Sequence, residues 1–216
     1  MNIDSNDAEA HEGLSNVYMK KGEYKKAMEH INLAIKCNPK YINAYFNRGV
    51  NYWTIGNATE DISKAIANKN TGINDIRNAI KLDSNNDSYI FTLGDMYRSV
   101  GDFKNAEKQY EKVIICNPNK IEARYNLGIM YVENGKYKDA VIQFKKTIEL
   151  DPARYEGAYI NLGELYYKIL KDNQKAIKYY REALNVMENI GDKKERVIEI
   201  RNKISEIEKE IIKNIY

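Results

Sequence analysis

A block of about 34 residues recurs along this chain, and recurrence at such a period leaves few folds open. Ala27 precedes Pro39, Ala106 precedes Pro118 and Ala140 precedes Pro152 by the same 12 residues, and Pro118 and Pro152 are 34 apart. Ahead of the alanine stands a second group: Leu14-Ser15-x-x-Tyr18, Arg48-Gly49-x-x-Tyr52, Leu93-Gly94-x-x-Tyr97, Leu127-Gly128-x-x-Tyr131 and Leu162-Gly163-x-x-Tyr166. One helical turn behind it comes a large residue: Ile31, Tyr110, Phe144 and Tyr180. Apolar residues at helical spacing, punctuated by Gly22, Gly56, Gly101 and Gly135, predict two antiparallel helices per block. Small residues on both helices let the backbones approach closely. The proline forces its predecessor out of helical geometry and ends the second helix. One such hairpin cannot bury its own apolar face, so stability has to come from stacking on neighbours.

Composition removes several other classes. The 216 residues carry 34 Lys+Arg against 31 Asp+Glu, a net charge of +3, which forecasts neither a nucleic-acid footprint nor a disordered acidic tail. No apolar run approaches the roughly 20 residues that span a bilayer, and Met1-Asn2-Ile3-Asp4-Ser5-Asn6-Asp7 is too polar for a secretory signal. Cys37 and Cys116 are the only cysteines, and both precede Asn-Pro at the same place in the repeat. They are expected to be small buried hydrophobes too far apart to bridge, so the chain is expected in a reducing compartment, the cytoplasm. His11 and His30 lack any zinc-ligand spacing, so no metal or other cofactor is expected. No nucleophile–base–orienter set and no Gly-rich phosphate loop occurs, which argues against an enzyme. Asn57-Ala58-Thr59 and Asn86-Asp87-Ser88 read as chance sequons.

The recurring Leu-Gly-x-x-Tyr, Ala and Pro positions closely resemble the tetratricopeptide repeat (TPR) family over about residues 8–188. The resemblance implies an all-α, right-handed α-solenoid of about five helix-turn-helix repeats with a C-terminal capping helix, forming a single domain over 1–216. The repeats fall at about 8–41, 42–86, 87–120, 121–154 and 155–190, followed by a cap at about 193–215.

Two repeats depart from the pattern. In the second, Gly72 takes the place of the alanine, 23 residues after Gly49 instead of 12, leaving 11 extra residues near 57–71. Eleven residues is close to three helical turns, so the insertion either lengthens the hairpin in phase or adds a short helix or loop at one rim. Ser84 stands where proline is expected. The fifth repeat has one extra residue before Leu162 and another before Ala176, with Glu188 in place of proline. After Gly191-Asp192, Val197, Ile200, Ile204, Ile207 and Ile211 recur at 3, 4, 3, 4, opposite Glu195, Glu199, Lys203, Glu206 and Lys209. Such a helix covers the exposed face of a last repeat. Ile211, Ile212 and Ile215 would overhang, and the alternative use of this helix is pairing with a second copy or a partner.

In the TPR family the first helices line a concave groove where peptides or helices of partners bind. Mapped by register, one line holds Phe46, Phe91, Tyr125 and Ile160, the next turn Val50, Asp95, Ile129 and Glu164, and the next Trp53, Arg98, Val132 and Tyr167. These positions are expected to face away from the neighbouring helix pair. Asn47, Asn126 and Asn161 recur beside that line, with Thr92 in the third repeat. An amide offers one donor and one acceptor group, which suits a peptide backbone of any sequence. The candidate binding residues are therefore Phe46, Asn47, Val50, Trp53, Phe91, Tyr125, Asn126, Ile129, Ile160 and Asn161. The alternatives are burial against adjacent first helices for the apolar residues, and local structural bonds for the asparagines. The two-carboxylate clamp of co-chaperone relatives needs basic residues where this chain has Glu12, Ser88 and Thr92, so a chaperone-tail receptor is disfavoured.

The leading expectation is a non-catalytic scaffold or interaction module that holds a protein ligand in the groove. The alternatives are a helical-repeat RNA-binding protein, against which Asp95, Glu122, Glu133 and Glu164 count, and an adaptor that self-assembles as a homodimer through its last helix.

Overall fold

The computed structural model describes residues 7–189 and 194–213, and every regular element among them is helical. Two compact units divide the chain, 1–109 and 110–216. The first contains α1 (Ala8–Lys20), α2 (Tyr24–Cys37), α3 (Ile42–Ala58), α4 (Ile62–Leu82) and α5 (Asp87–Ser99). The boundary falls within α6 (Phe103–Cys116). The second contains α7 (Ile121–Glu133), α8 (Tyr137–Leu150), α9 (Glu156–Glu164), α10 (Asn173–Asn189) and α11 (Lys194–Lys213).

Each unit is built from helical hairpins: α1 pairs with α2, α3 with α4, α7 with α8, and α9 with α10. Three of the turns inside hairpins place a glycine in the left-handed region. Gly22, Gly101 and Gly135, each five residues before the conserved-register alanine, have φ of 73°, 78° and 71°. Gly56, expected to do the same, does not. It lies inside α3, buried, and a Cβ there would meet the Ala65 carbonyl at 3.0 Å, so its smallness serves a helix crossing instead. The second helices stop where proline restricts its predecessor: Asn38 before Pro39 has ψ 94° and Asp151 before Pro152 has ψ 90°. Asp83, before Ser84, adopts the same extended cap at ψ 89° without a proline.

The long second repeat lengthens its hairpin. α3 has 17 residues against 13 for α1, α5 and α7, and α4 has 21 against 14 for α2, α6 and α8. The eleven extra residues thus enter as about one turn on α3 and two on α4, which returns both helices to phase. Asp61 caps the extended α4, accepting from the Lys64 N–H at 3.1 Å. In the fifth repeat the extra residue before Ala176 is taken up by a π-helical turn, Leu165–Ile169, continuing α9. The Leu170 N–H donates to the Leu165 carbonyl at 2.9 Å. Lys171 then stands at the left-handed turn position with φ 54°, the register held by Gly22, Gly101 and Gly135 in their hairpins.

Small and large residues meet where the register placed them. Ala27, Ala106, Ala140 and Ala176 are fully buried, as are Ile31, Tyr110, Phe144 and Tyr180. A Cβ on Gly128 would lie 2.7 Å from the Phe144 ring, and one on Gly163 2.7 Å from the Tyr180 ring. In the second unit α11 lies on α10 with Ile200, Ile204 and Ile207 buried. Gly191, Asp192 and Ile215, assigned above to the turn and overhang of this helix, lie outside the described residues; Ile212 is exposed.

The cysteines differ from expectation. Cys37 is only half-buried and Cys116 is exposed. Each is the last residue of its helix, one turn beyond the fully buried Ala34 or Val113, so it overshoots the packed layer.

Candidate functional site

All ten candidate residues are half-buried; none is sealed inside and none stands free. In the first unit, Phe46, Val50 and Trp53 on α3 pack against a core of Ile73, Ile76, Leu93 and Met96 from α4 and α5. The Phe46 ring stacks on Tyr89 with centroids 4.6 Å apart, and the Tyr89 hydroxyl donates to Asn43 Oδ1 at 2.6 Å. These side chains therefore lean toward the neighbouring hairpin rather than away from it, because residues three and four apart share one helix stripe and α5 closes over that stripe. Trp53 keeps one face for Lys69, whose ammonium sits 5.4 Å from the ring centroid. Phe91, on α5, remains partly open.

Asn47 has an internal partner. Its amide donates to Glu12 of α1, and the same carboxylate accepts from the Tyr41 hydroxyl. Burial, then the Glu12 hydrogen bond and charge, push the Tyr41 phenol up to about 12. Glu12 thus ties α1 to the start of the second hairpin. The sequence reading weighed Glu12 only as a failed clamp residue.

In the second unit Tyr125 of α7 reaches α9. Its ring lies 5.9 Å from Phe144 and 5.6 Å from Tyr155, and a Cβ on Gly157 would touch its hydroxyl at 2.4 Å. Burial, then the Glu156 charge, raise this phenol, while Arg196 and a hydrogen bond with Asn161 oppose the shift. Asn161 is thereby also engaged within the protein. Asn126 and Ile129 lie half-buried on the same helix as Tyr125. Ile160 packs on the Tyr159, Ala183 and Val186 cluster.

The far end of this face is claimed by α11. Arg196 pairs with Glu156 at 3.2 Å, Lys203 pairs with Glu164, and the Tyr167 hydroxyl donates to Glu210 at 3.1 Å. Burial would raise the Glu164 carboxyl, but the Lys168 and Lys203 ammonium groups beside it hold it at about 2. Glu164 and Tyr167, two positions of the mapped stripe, are thus occupied by the chain itself.

Two further constellations escaped the sequence reading. His11 and His30 meet with Nδ1 atoms 3.1 Å apart, and Tyr18 stacks on His30 at 5.4 Å. Arg48, where other repeats carry leucine, forms a bidentate pair with the buried Asp75 at 2.7 and 2.8 Å. Aligning the repeats by register would have set His30 and Asp75 at one position and marked it as polar; neither partner follows from spacing. Among the described residues no three His, Cys, Asp or Glu side chains gather closely enough to hold a metal ion, and no helix is long and apolar enough to cross a membrane.

Stacked helical hairpins with a small-against-large register define a TPR fold. Tetratricopeptide repeat family models match residues 15–56, 94–135, 121–154 and 156–189, so the chain belongs to this family. Comparison with curated protein sequences found no match. Among solved structures the chain is similar to MamA (TM-score 0.70, 22% identity, 82% of this chain and 96% of that one). It is also similar to PilF of Pseudomonas aeruginosa (TM-score 0.65, 17% identity, 97% and 91%). A third is YrrB, described as a TPR protein with an unusual peptide-binding site (TM-score 0.63, 20% identity, 84% and 87%). At these identities the likeness concerns the fold.

Proposed function

We propose that this protein is a non-catalytic interaction module that holds a peptide or helix of a partner protein against its first helices. In the first unit, Phe46, Val50, Trp53 and Phe91 on α3 and α5 offer one such surface; in the second, taken by itself, Tyr125, Ile129 and Ile160 on α7 and α9 offer another. The observation that carries the reading is the uniform half-burial of these side chains. Internal packing fixes their rotamers, so little entropy is lost when a ligand covers the part still open to water. YrrB, with the same fold, is a peptide binder by its own description. Asn47 and Asn161 act in this reading as supports bonded to Glu12 and Tyr125, rather than as a free clamp on a ligand backbone.

The RNA alternative is weakened by Glu122, Glu133 and Asp95 along the same helices. Self-assembly through α11 is weakened because Ile200, Ile204 and Ile207 already face α10. The test is selection of peptides by display on the intact protein, followed by hydrogen exchange in the complex. Protection on α3 and α5 or on α7 and α9, lost in Phe91→Asp and Ile129→Asp variants that keep their helicity, supports the assignment. Protection confined to other helices overturns it.

A further inference from the structure

A recess in the first unit lies away from the first-helix face. Between the second helices α4 and α6, above the C-terminal end of α5, lie two adjoining recesses of about 470 and 230 Å³ that share Arg77, Tyr97 and Asn105. Their floor is apolar: Ile73 and Leu93 are almost fully buried and Ile80 partly so. Their walls are chemically uneven. The larger recess is rich in amides, with Asn70, Asn74 and Asn105, and its one carboxylate, Asp102, already accepts from the Asn105 side chain at 2.7 Å.

The smaller recess has Arg77 and Lys81 one turn apart on α4, facing Lys108 on α6, and no acidic residue lines it. Arg77, Lys81 and Lys108 are exposed, and none forms an ion pair among the described residues. Three other cations of this unit have carboxylate partners: Lys26 pairs with Glu23, Arg48 with Asp75 and Lys64 with Asp61. Three like charges around a low-dielectric floor repel one another and focus a positive potential into the cleft, so an anionic occupant relieves a cost built into the free protein.

We propose that this cleft is a second binding site, separate from the first-helix face, for an extended acidic segment of a partner polypeptide. Acidic side chains enter the smaller recess to meet Arg77, Lys81 and Lys108. The adjoining main chain bonds to Asn74 and Asn105, whose amides supply donors and acceptors irrespective of sequence. Apolar side chains of the segment cover Ile73, Leu93 and the Tyr97 ring. A polypeptide fits this lining better than a single-stranded nucleic acid, because a row of stacked bases needs successive aromatic platforms and Tyr97 is the only aromatic residue in the cleft.

The probe is a fluorescein-labelled peptide of alternating glutamate and leucine, titrated with the full chain and followed by anisotropy. A matching glutamine–leucine peptide and a labelled oligouridylate serve as comparators. The expected result is saturable binding of the glutamate peptide that weakens as added salt shortens the screening length. Its Kd should rise at least about tenfold in Arg77→Ala/Lys81→Ala/Lys108→Ala. Lys25→Ala/Lys36→Ala/Lys40→Ala removes the same three charges elsewhere in the unit and should shift Kd less than about twofold. All six side chains are exposed, and helicity by circular dichroism verifies that both variants fold. Equal losses in the two variants would reduce the effect to net charge and overturn the site. Binding of the glutamine peptide as tight as that of the glutamate peptide, tighter binding of oligouridylate, or no binding at all would overturn it as well.

Discussion

Gly72→Ala and Gly13→Ala are the same chemical change in two helices, yet the structure assigns them opposite signs. Gly72 of α4 crosses Gly49 of α3 so closely that a Cβ at 72 would sit 2.6 Å from the Gly49 carbonyl oxygen and 3.2 Å from the Trp53 nitrogen. An ordinary carbon–oxygen contact begins near 3.3 Å, so the helices must part locally by about 0.7 Å. Both obstacles are backbone, and neither can swing aside as a side-chain tip would. Overpacking of this kind costs roughly 1–3 kcal/mol, against which alanine recovers about 1 kcal/mol of helix propensity. Because the obstacle is rigid, the upper half of the range applies, and Gly72→Ala should destabilise by a net ~1–2 kcal/mol. Gly13 lies in α1 with nothing within 4 Å of the same probe position, so Gly13→Ala should stabilise by up to about 1 kcal/mol. Trp53, the only tryptophan, lies on α3 and reports the α3–α4 hairpin directly. Urea titrations followed by its fluorescence and by circular dichroism should move the midpoint down for Gly72→Ala and up for Gly13→Ala, with unchanged slope. If Gly72→Ala matched or exceeded the parent protein in stability, the close crossing of α3 and α4 would be wrong.

The Lys171 turn should respond to a single glycine: relieving a left-handed non-glycine residue recovers about 1 kcal/mol, so Lys171→Gly should raise the thermal midpoint, and a lower midpoint would contradict the turn geometry. Asp75→Ala should cost about 2 kcal/mol by leaving the Arg48 guanidinium without its charged acceptors. Arg48→Leu/Asp75→Gln, which writes in the residues other repeats carry, should recover most of that loss in a double-mutant cycle. Burial, followed by the nearby His11 charge, lowers the His30 imidazole, with Glu29 opposing. The unfolded chain therefore takes up the proton first, and stability present above about pH 6.5 should fall as the pH drops below it. Urea midpoints measured from pH 8 to 5 should show this decline, and His30→Gln should flatten it; an unchanged slope in the variant would place the titration elsewhere.

The architecture was legible wherever it depended on period. Alanine-to-proline spacing set the ends of the second helices, whereas the eleven inserted residues, close to three helical turns, left open a hairpin lengthened in phase or an added short helix or loop. Lys171 was legible only in hindsight: it occupies the register of Gly22, Gly101 and Gly135, but nothing in a lysine announces a positive φ. Gly56 shows the converse, since a glycine between two helical patterns reads as a turn whether it bends the chain or admits a neighbour.

The candidate faces were half legible for a related reason. Register along a helix says which stripe a residue joins, and it placed Phe46, Phe91 and Tyr125 on one stripe. It does not say how far the next helix rotates over that stripe, and this rotation brings Phe46 onto Tyr89 and Tyr125 onto Gly157. Sequence alone thus determined the helical hairpins, their stops and their small-against-large contacts, because these follow from interactions within about one repeat. Tertiary structure alone decided that His11 meets His30, that Glu12 holds both Asn47 and Tyr41, and that Arg77, Lys81 and Lys108 share one cleft. The meetings between different helices join side chains 19 to 35 residues apart, where helix rotation and rotamer choice, invisible to any periodic pattern, set the distance.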